Sequence, residues 1–406
     1  MGRFIVNGGA PLFGRVRVSG SKNAALPILF ATIITRGVSV IENLPDIGDV
    51  RVAIDIIERL GAVVVREGTL TRVNTESLTY TKIPDTLLSR LRASTYLLGA
   101  MLVRFGRAEI GCFGGCNFAP RPIDMHLDAI RSHGASVGNN GEISAERLYP
   151  SEITFLKRSV GATVNALILA SGIPGESIIR GCATEPHILN LIEYLRSCGA
   201  EIDTLGDTII VRGNNLRGGS VTVGGDMIEA GTMLTASLLT GGCVRVVGVA
   251  DTELLSFTNL LTASGVVRQG GEGIMLTGMP EAKIRIVTLP YPGFPTDLQP
   301  IISPLLSHKG GWISDTVWRD RLGYLEGLSR FGVRSRVVDG VAEIFPSELM
   351  AAEAEAGDLR GGMALIIAAL AAEGVSVIRN GELVLRGYER LVDKLCLLGA
   401  EIDYKD

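Results

Sequence analysis

Six segments of this 406-residue chain end the same way, in an amphipathic helical pattern, then a glycine, then a short β-type run. The glycines are Gly61 in IIERLGAVVV, Gly134 in IRSHGASVG, Gly199 in YLRSCGAEI, Gly265 in LTASGVVRQ, Gly332 in LSRFGVRSR and Gly399 in LCLLGAEI. Their successive spacings are 73, 65, 66, 67 and 67 residues, so six repeated units fill nearly the whole chain. Glycine suits this place because the residue after a helix often turns left-handed, where a Cβ is costly.

Each unit carries a second helix, rich in Ala and Leu and running into a strand. The clearest copies are NAALPILFATIITRGVSVIEN, STYLLGAMLVRFGRAEI, ATVNALILASGIPGESIIRG, AGTMLTASLLTGGCVRVVG and GGMALIIAALAAEGVSVIRN, with a weaker one in LQPIISPLLSHKGGWISDTV. These helices are apolar nearly all round, which predicts burial, whereas the helices ending at glycine have one polar face for solvent. No single unit can bury both helix types alone. Six such units predict an α/β protein of two domains with three units each and a ligand cleft between them.

Composition excludes several functions. Apolar residues are 46% and charged residues 20%, enough for large cores and against disorder. A net charge of -4 and 5% aromatics argue against a nucleic-acid surface, leaving room for a local basic pocket. The longest apolar run, Met363 to Ala372, is half of what a bilayer requires, and the opening residues read as strand and turn rather than a secretory signal. Cysteines at 112, 116, 182, 198, 243 and 396 lack disulfide-framework spacing and read as reduced thiols of a cytoplasmic protein.

The segments that break the repeat are the candidates for chemistry. In VSGSKNAAL, Lys22 and Asn23 open a buried helix, where free N–H groups and a Lys make an anion site. A solvated Lys in a first turn is the alternative. In GCFGGCNFAPRPIDMH, glycines and prolines put Cys116 in a loop with Arg121 following, a setting that lowers a thiol's pKa. A structural cysteine, or a zinc site of Cys112, Cys116 and His126 lacking a fourth ligand, are the other readings. Asp297 in YPGFPTDLQP either caps a helix or acts in a site. Arg321 in WRDRLGY, Arg360 in GDLRGG and Arg386 in LRGYER recur at helix starts and unit junctions. Together with Lys22 they predict a small, multiply charged anion as ligand.

The motifs GSKNAALPILFA, LRAS, GGC…RPID, KRSVGAT, FPTDLQ, GDLR and RGYERLVDKL, in this order along the whole chain, resemble the UDP-N-acetylglucosamine 1-carboxyvinyltransferase family of enolpyruvyl transferases. The resemblance implies an EPSP synthase-like inverted α/β barrel of six βαβαββ repeats. One domain would span residues 22–225 and the other 1–21 with 226–406. It also implies transfer of the enolpyruvyl group of phosphoenolpyruvate to the 3-hydroxyl of UDP-N-acetylglucosamine, opening peptidoglycan synthesis. Neither cofactor nor metal is implied; the partners would be these two small molecules, with no nucleic acid or membrane, and a monomer or weak homo-oligomer.

Residue by residue, the resemblance places Lys22, Asn23, Arg121 and Arg386 on the phosphate of phosphoenolpyruvate, and Arg321 and Arg360 on its carboxylate. Cys116 matches the general acid alkylated by fosfomycin, and Asp297 the residue that takes the sugar hydroxyl's proton. Arg92, the run Arg121, Pro122, Ile123, Asp124 and Met125, then Lys157, Ser159, Val160, Gly161, Asp297 and Val317 match contacts to the sugar nucleotide. The chain departs from the family where Arg319-Asp320-Arg321-Leu322 replaces Glu-Asn-Arg-Phe, and where the cysteine loop reads Asn117-Phe118-Ala119-Pro120. These departures bear on the acceptor, so a paralogue acting on another nucleotide such as UMP is the competing reading. A catalytically silent binding paralogue and a shikimate-type transferase are the others.

Overall fold

The computed structural model describes residues 2–114 and 122–406. These form two compact units, one of residues 20–114 and 122–224, the other of 2–19 and 225–406. The repeat is fullest at residues 152–213. Strand Glu152–Thr154 leads through helix Val160–Ser171 to strand Gly175–Arg180, and helix Pro186–Ser197 leads to the hairpin Glu201–Leu205 and Thr208–Gly213. The first two strands pair in parallel, as a helical crossover requires, and the hairpin adds antiparallel.

Four other sheets have the same order of one parallel and two antiparallel pairings. The sixth, from Arg107–Glu109, Ser136–Val137 and Glu142–Ser144, has three described strands, all antiparallel. Sequence-distant strands complete three of the sheets. Ser220–Thr222 pairs with Val38–Glu42, Phe13–Arg17 with Cys243–Val247, and Arg3–Gly8 inserts between Gly374–Arg379 and Glu401–Lys405. The chain therefore passes between units at 19–20 and returns at 224–225.

Each unit has its own apolar core. Helix Val160–Ser171 buries every residue from Ala162 on, and Leu359–Ala371 buries Leu359 through Leu370. Helix Gly48–Arg59 instead buries Val50, Ala53, Ile56 and Ile57 and exposes Arg51, Asp55, Glu58 and Arg59. The weak sixth copy is a short α-helix, Gln299–Ile302, that tightens into a 3₁₀ segment over Ser303–Ser307. Pro304 explains the change, since it has no N–H to give to the carbonyl four residues earlier. No described helix is long and apolar enough to cross a membrane.

All six repeat glycines have positive φ, from +87° at Gly332 to +107° at Gly199. An added Cβ at Gly199 meets nothing within 4 Å, whereas at Gly332 it lies 2.6 Å from the Glu348 carbonyl oxygen. Gly199→Ala should therefore lose only the backbone preference, about 1–2 kcal/mol. Gly332→Ala should lose more, because backbone has to move. Urea midpoints of the two variants check this, and equal losses would contradict it.

Candidate functional site

The predicted residues fall into two groups, one in each unit. In the unit of residues 20–224, Lys22 is the first residue of helix Lys22–Ala31, whose N-cap, Ser21, makes no side-chain capping bond. Helices starting at Val160, Met227 and Leu359 differ, being capped by Ser159, Asp226 and Asp358. A cation opposes the dipole at a helix start, so Lys22 needs an anion. Its Nζ lies 3.3 Å from the carboxylate of Asp49, a residue only 3% exposed in the first turn of helix Gly48–Arg59. Pro27 withholds the N–H that would bond to the Asn23 carbonyl, so this first turn is open at its backbone too.

Most of the described residues matched to the sugar nucleotide lie in the same unit, Asp297 and Val317 in the other. The 3₁₀ turn Arg92–Tyr96 packs on both helix Lys22–Ala31 and helix Val160–Ser171. Helix Asp124–Ser132 packs on Val160–Ser171 through His126. Asn165 donates to His126 Nδ1 (3.0 Å) and to the Thr95 carbonyl, and its side-chain oxygen accepts the Gly99 N–H. A Cβ at Gly161 would stand 3.0 Å from His126 Nε2, so glycine is what permits this approach. Gly161 and the Arg92 charge thus lie beside one buried imidazole, with Met125 its chain neighbour. Pro122, Asp124 and Lys157 are exposed, and Ile123 is half-buried. Cys116 and Arg121 lie outside the described residues.

Burial, helped by the Arg92 charge, lowers the His126 pKa from 6.5 to about 4. The imidazole is therefore neutral at pH 7, with Nδ1 accepting and the proton on Nε2. The unfolded chain takes up the proton as pH falls below 6.5, while the folded chain does so only near 4. Stability is therefore lost with acidification between those values, about 2 kcal/mol by pH 5. His126→Asn keeps an acceptor at the Nδ1 position without titrating. Its stability relative to wild type should improve by about that amount from pH 7 to pH 5, as read by chemical denaturation. A constant difference would contradict the assignment.

The second group lies within residues 225–406. Asp297 does not cap the helix that follows; the N-cap there is Leu298, with no side-chain bond. Its carboxylate instead joins two arginines. Arg321 Nη1 donates to Oδ1 at 2.7 Å, and Arg360 Nε and Nη2 donate to Oδ2, each at 3.2 Å. Neither arginine is a surface residue: Arg321 is 5% exposed and Arg360 2%. Burial pulls the Arg360 pKa down, yet Tyr388, Asp297 and Asp226 more than offset it and the net shift is upward. The guanidinium therefore stays charged in the interior. It lies 5.4 Å over the ring of Tyr388, whose hydroxyl pairs with Thr232 and whose pKa burial raises to about 12. Arg386, half-buried, stands two residues before Tyr388.

Buried Asp315 organises the approach to Arg321. It accepts hydrogen bonds from the Thr288 and Thr296 hydroxyls, both at 2.6 Å, and from the N–H groups of Val317 and Trp318. This fixes Val317, and Arg321 in turn donates to Thr296. Arg319 and Asp320, the departing pair, are exposed between them. Sequence reasoning missed Asp49, Asp315, Thr296, Asn165 and Tyr388. Of these only Tyr388 carried a signal, as an aromatic between Arg386 and Arg390 in an otherwise polar turn.

The family described as EPSP synthase (3-phosphoshikimate 1-carboxyvinyltransferase) matches residues 6–395. A protein named UDP-N-acetylglucosamine 1-carboxyvinyltransferase 3, from Caldanaerobacter subterraneus subsp. tengcongensis, is 39% identical over 417 residues and covers 99% of both chains. One named UDP-N-acetylglucosamine 1-carboxyvinyltransferase, from Halothermothrix orenii, is 39% identical over 411 residues with the same coverage. Among solved structures, the enolpyruvyl transferase NikO from Streptomyces tendae matches with a TM-score of 0.87 at 27% identity, over 100% of this chain and 99% of its own. An EPSP synthase from Acinetobacter baumannii matches over 100% of both chains with a TM-score of 0.73 at 17% identity, a likeness of fold.

Proposed function

The chain belongs to the UDP-N-acetylglucosamine 1-carboxyvinyltransferase family, with the EPSP synthase-like α/β fold, and from this membership we propose that it transfers the enolpyruvyl group of phosphoenolpyruvate to the 3-hydroxyl of UDP-N-acetylglucosamine. The observation that carries the reading is the buried Arg321 and Arg360 pair aimed at a single carboxylate. Two planar guanidiniums form a receptor for a carboxylate group rather than a generic basic patch. Phosphoenolpyruvate supplies such a carboxylate beside a phosphate. Lys22 with Asn23, Arg121 and Arg386 hold that phosphate in this reading.

Cys116 protonates the methylene carbon, which leaves C2 electron-poor. The sugar hydroxyl adds to C2 as Asp297 accepts its proton, giving a tetrahedral ketal. Expulsion of phosphate from C2 and loss of a methyl proton then form the enol ether. The fixed cations stabilise charge on the phosphate as it departs. Arg92, Arg121 to Met125, Lys157, Ser159 to Gly161 and Val317 hold the nucleotide. The product is a cell-wall precursor made in the cytoplasm.

A second reading concerns the acceptor alone. Arg319 and Asp320 stand exposed between Val317 and Arg321, where the family carries Glu-Asn, and this change bears on the acceptor, with another nucleotide such as UMP as the alternative. Phosphate release from phosphoenolpyruvate, measured with UDP-N-acetylglucosamine, with UMP and with neither, separates the two. Release should require UDP-N-acetylglucosamine and should fall at least about a hundredfold in Lys22→Ala, the loss typical of removing a transition-state charge partner. Release with UMP alone moves the chain to the second reading. A silent enzyme with both would contradict each.

A further inference from the structure

The Arg321–Asp297–Arg360 cluster is an imperfect match, and the imperfection points outward. A guanidinium fork binds a carboxylate best through two parallel bonds to its two oxygens, at about 2.7–2.9 Å. Arg360 instead sends both Nε and Nη2 to one oxygen, Oδ2, at 3.2 Å. Its remaining nitrogen, Nη1, is buried and has no hydrogen-bond partner. A residue 2% exposed thus holds an unused charged donor and two long bonds. The Asp297 side chain keeps 28% of its surface exposed, while those of Arg321 and Arg360 keep 6% and 3%. The carboxylate is on the solvent side of the cluster and the cations are beneath it.

The geometry points to an exchange in which the carboxylate of the incoming substrate displaces that of Asp297 from Arg321 and Arg360. This rests on the reading of the arginine pair given above and deepens it. While Asp297 is held by both guanidiniums, three N–H donors lie on its two oxygens and weaken it as a base. Once displaced, it is a carboxylate with an oxygen available for the acceptor hydroxyl proton. One ion pair replaces another, so no charge is created or left uncompensated at the arginines. Asp297 is then a gate on its own use as base, opened only by a ligand that brings a carboxylate. A phosphate ester without one leaves Asp297 in place.

Two probes separate this exchange from a simple base role: 2-phospholactate, which carries phosphate and carboxylate but no double bond, and methyl phosphate, which lacks the carboxylate. Both are titrated calorimetrically against wild type and Asp297→Asn, with the nucleotide that supports phosphate release present. Removing the competing carboxylate should tighten 2-phospholactate at least tenfold more than it tightens methyl phosphate. A general loss of negative charge would tighten both alike and would overturn the exchange. Wild-type turnover with an unchanged probe ratio sinks the exchange and leaves the reaction standing. Failure of 2-phospholactate to bind either protein sinks the assignment of the arginine pair as well. Because Asp297→Asn takes the anion away from two buried arginines, wild type labelled with carboxyl-13C aspartate provides a second measurement that needs no variant. Infrared difference spectra should show one aspartate carboxylate band moving on adding 2-phospholactate and none on adding methyl phosphate. No moving band would overturn the proposal without any variant.

Discussion

Two guanidinium groups taken out of water keep their charge and carry a large desolvation penalty, which an anion held against them offsets. Asp297 supplies that anion to Arg321 and Arg360 together, and much of the surrounding structure serves the arrangement. Asp315 ties Thr296 beside Asp297, and Thr296 accepts from Arg321. Asp358 caps the helix that carries Arg360, and the Tyr388 ring lies under that guanidinium. Breaking a buried ion pair by removing one partner costs on the order of 3–5 kcal/mol. A cluster of this sort is weak as a source of stability, since well-packed apolar residues would do as well, and makes sense as a place built to receive charge.

Within each unit the fold puts predicted residues at helix starts rather than on helix sides. Lys22 and Arg360 occupy the first two positions of apolar helices, and Ser159 caps the helix that opens with Val160 and Gly161. Each of these helices is anchored by a body that is buried along nearly its whole length, so its first turn is placed by packing rather than by a mobile loop. Strands from distant parts of the chain complete the sheets beside them. Residues 3–8 and 13–17 finish sheets made otherwise of residues 243–277 and 353–405. The same few residues therefore close one unit before the chain enters the other.

The repeat was legible because each glycine answers a local backbone demand that sequence alone exposes. The positive φ at Gly61, Gly134, Gly199, Gly265, Gly332 and Gly399 is that demand made visible. Buried and half-exposed helices were equally legible from their apolar faces. The partners of the charged residues were not. Asp49 lies 27 positions from Lys22, and Asp297 lies 63 from Arg360. Such pairings depend on tertiary packing, and nothing in the local pattern around Asp49 or Asp315 separates them from solvated carboxylates. Asp297 was legible as chemistry only through resemblance; its local pattern equally suggested a helix cap. The burial of Arg321 and Arg360 was the largest surprise, because isolated arginines in polar turns are usually solvated.

The most direct test is a crystal structure of the protein with 2-phospholactate bound. The account predicts that the ligand carboxylate sits on the guanidiniums of Arg321 and Arg360, that it accepts a hydrogen bond from Arg360 Nη1, and that Asp297 has turned away from both arginines. A ligand carboxylate bound elsewhere, with Asp297 still bridging the two arginines, would contradict it.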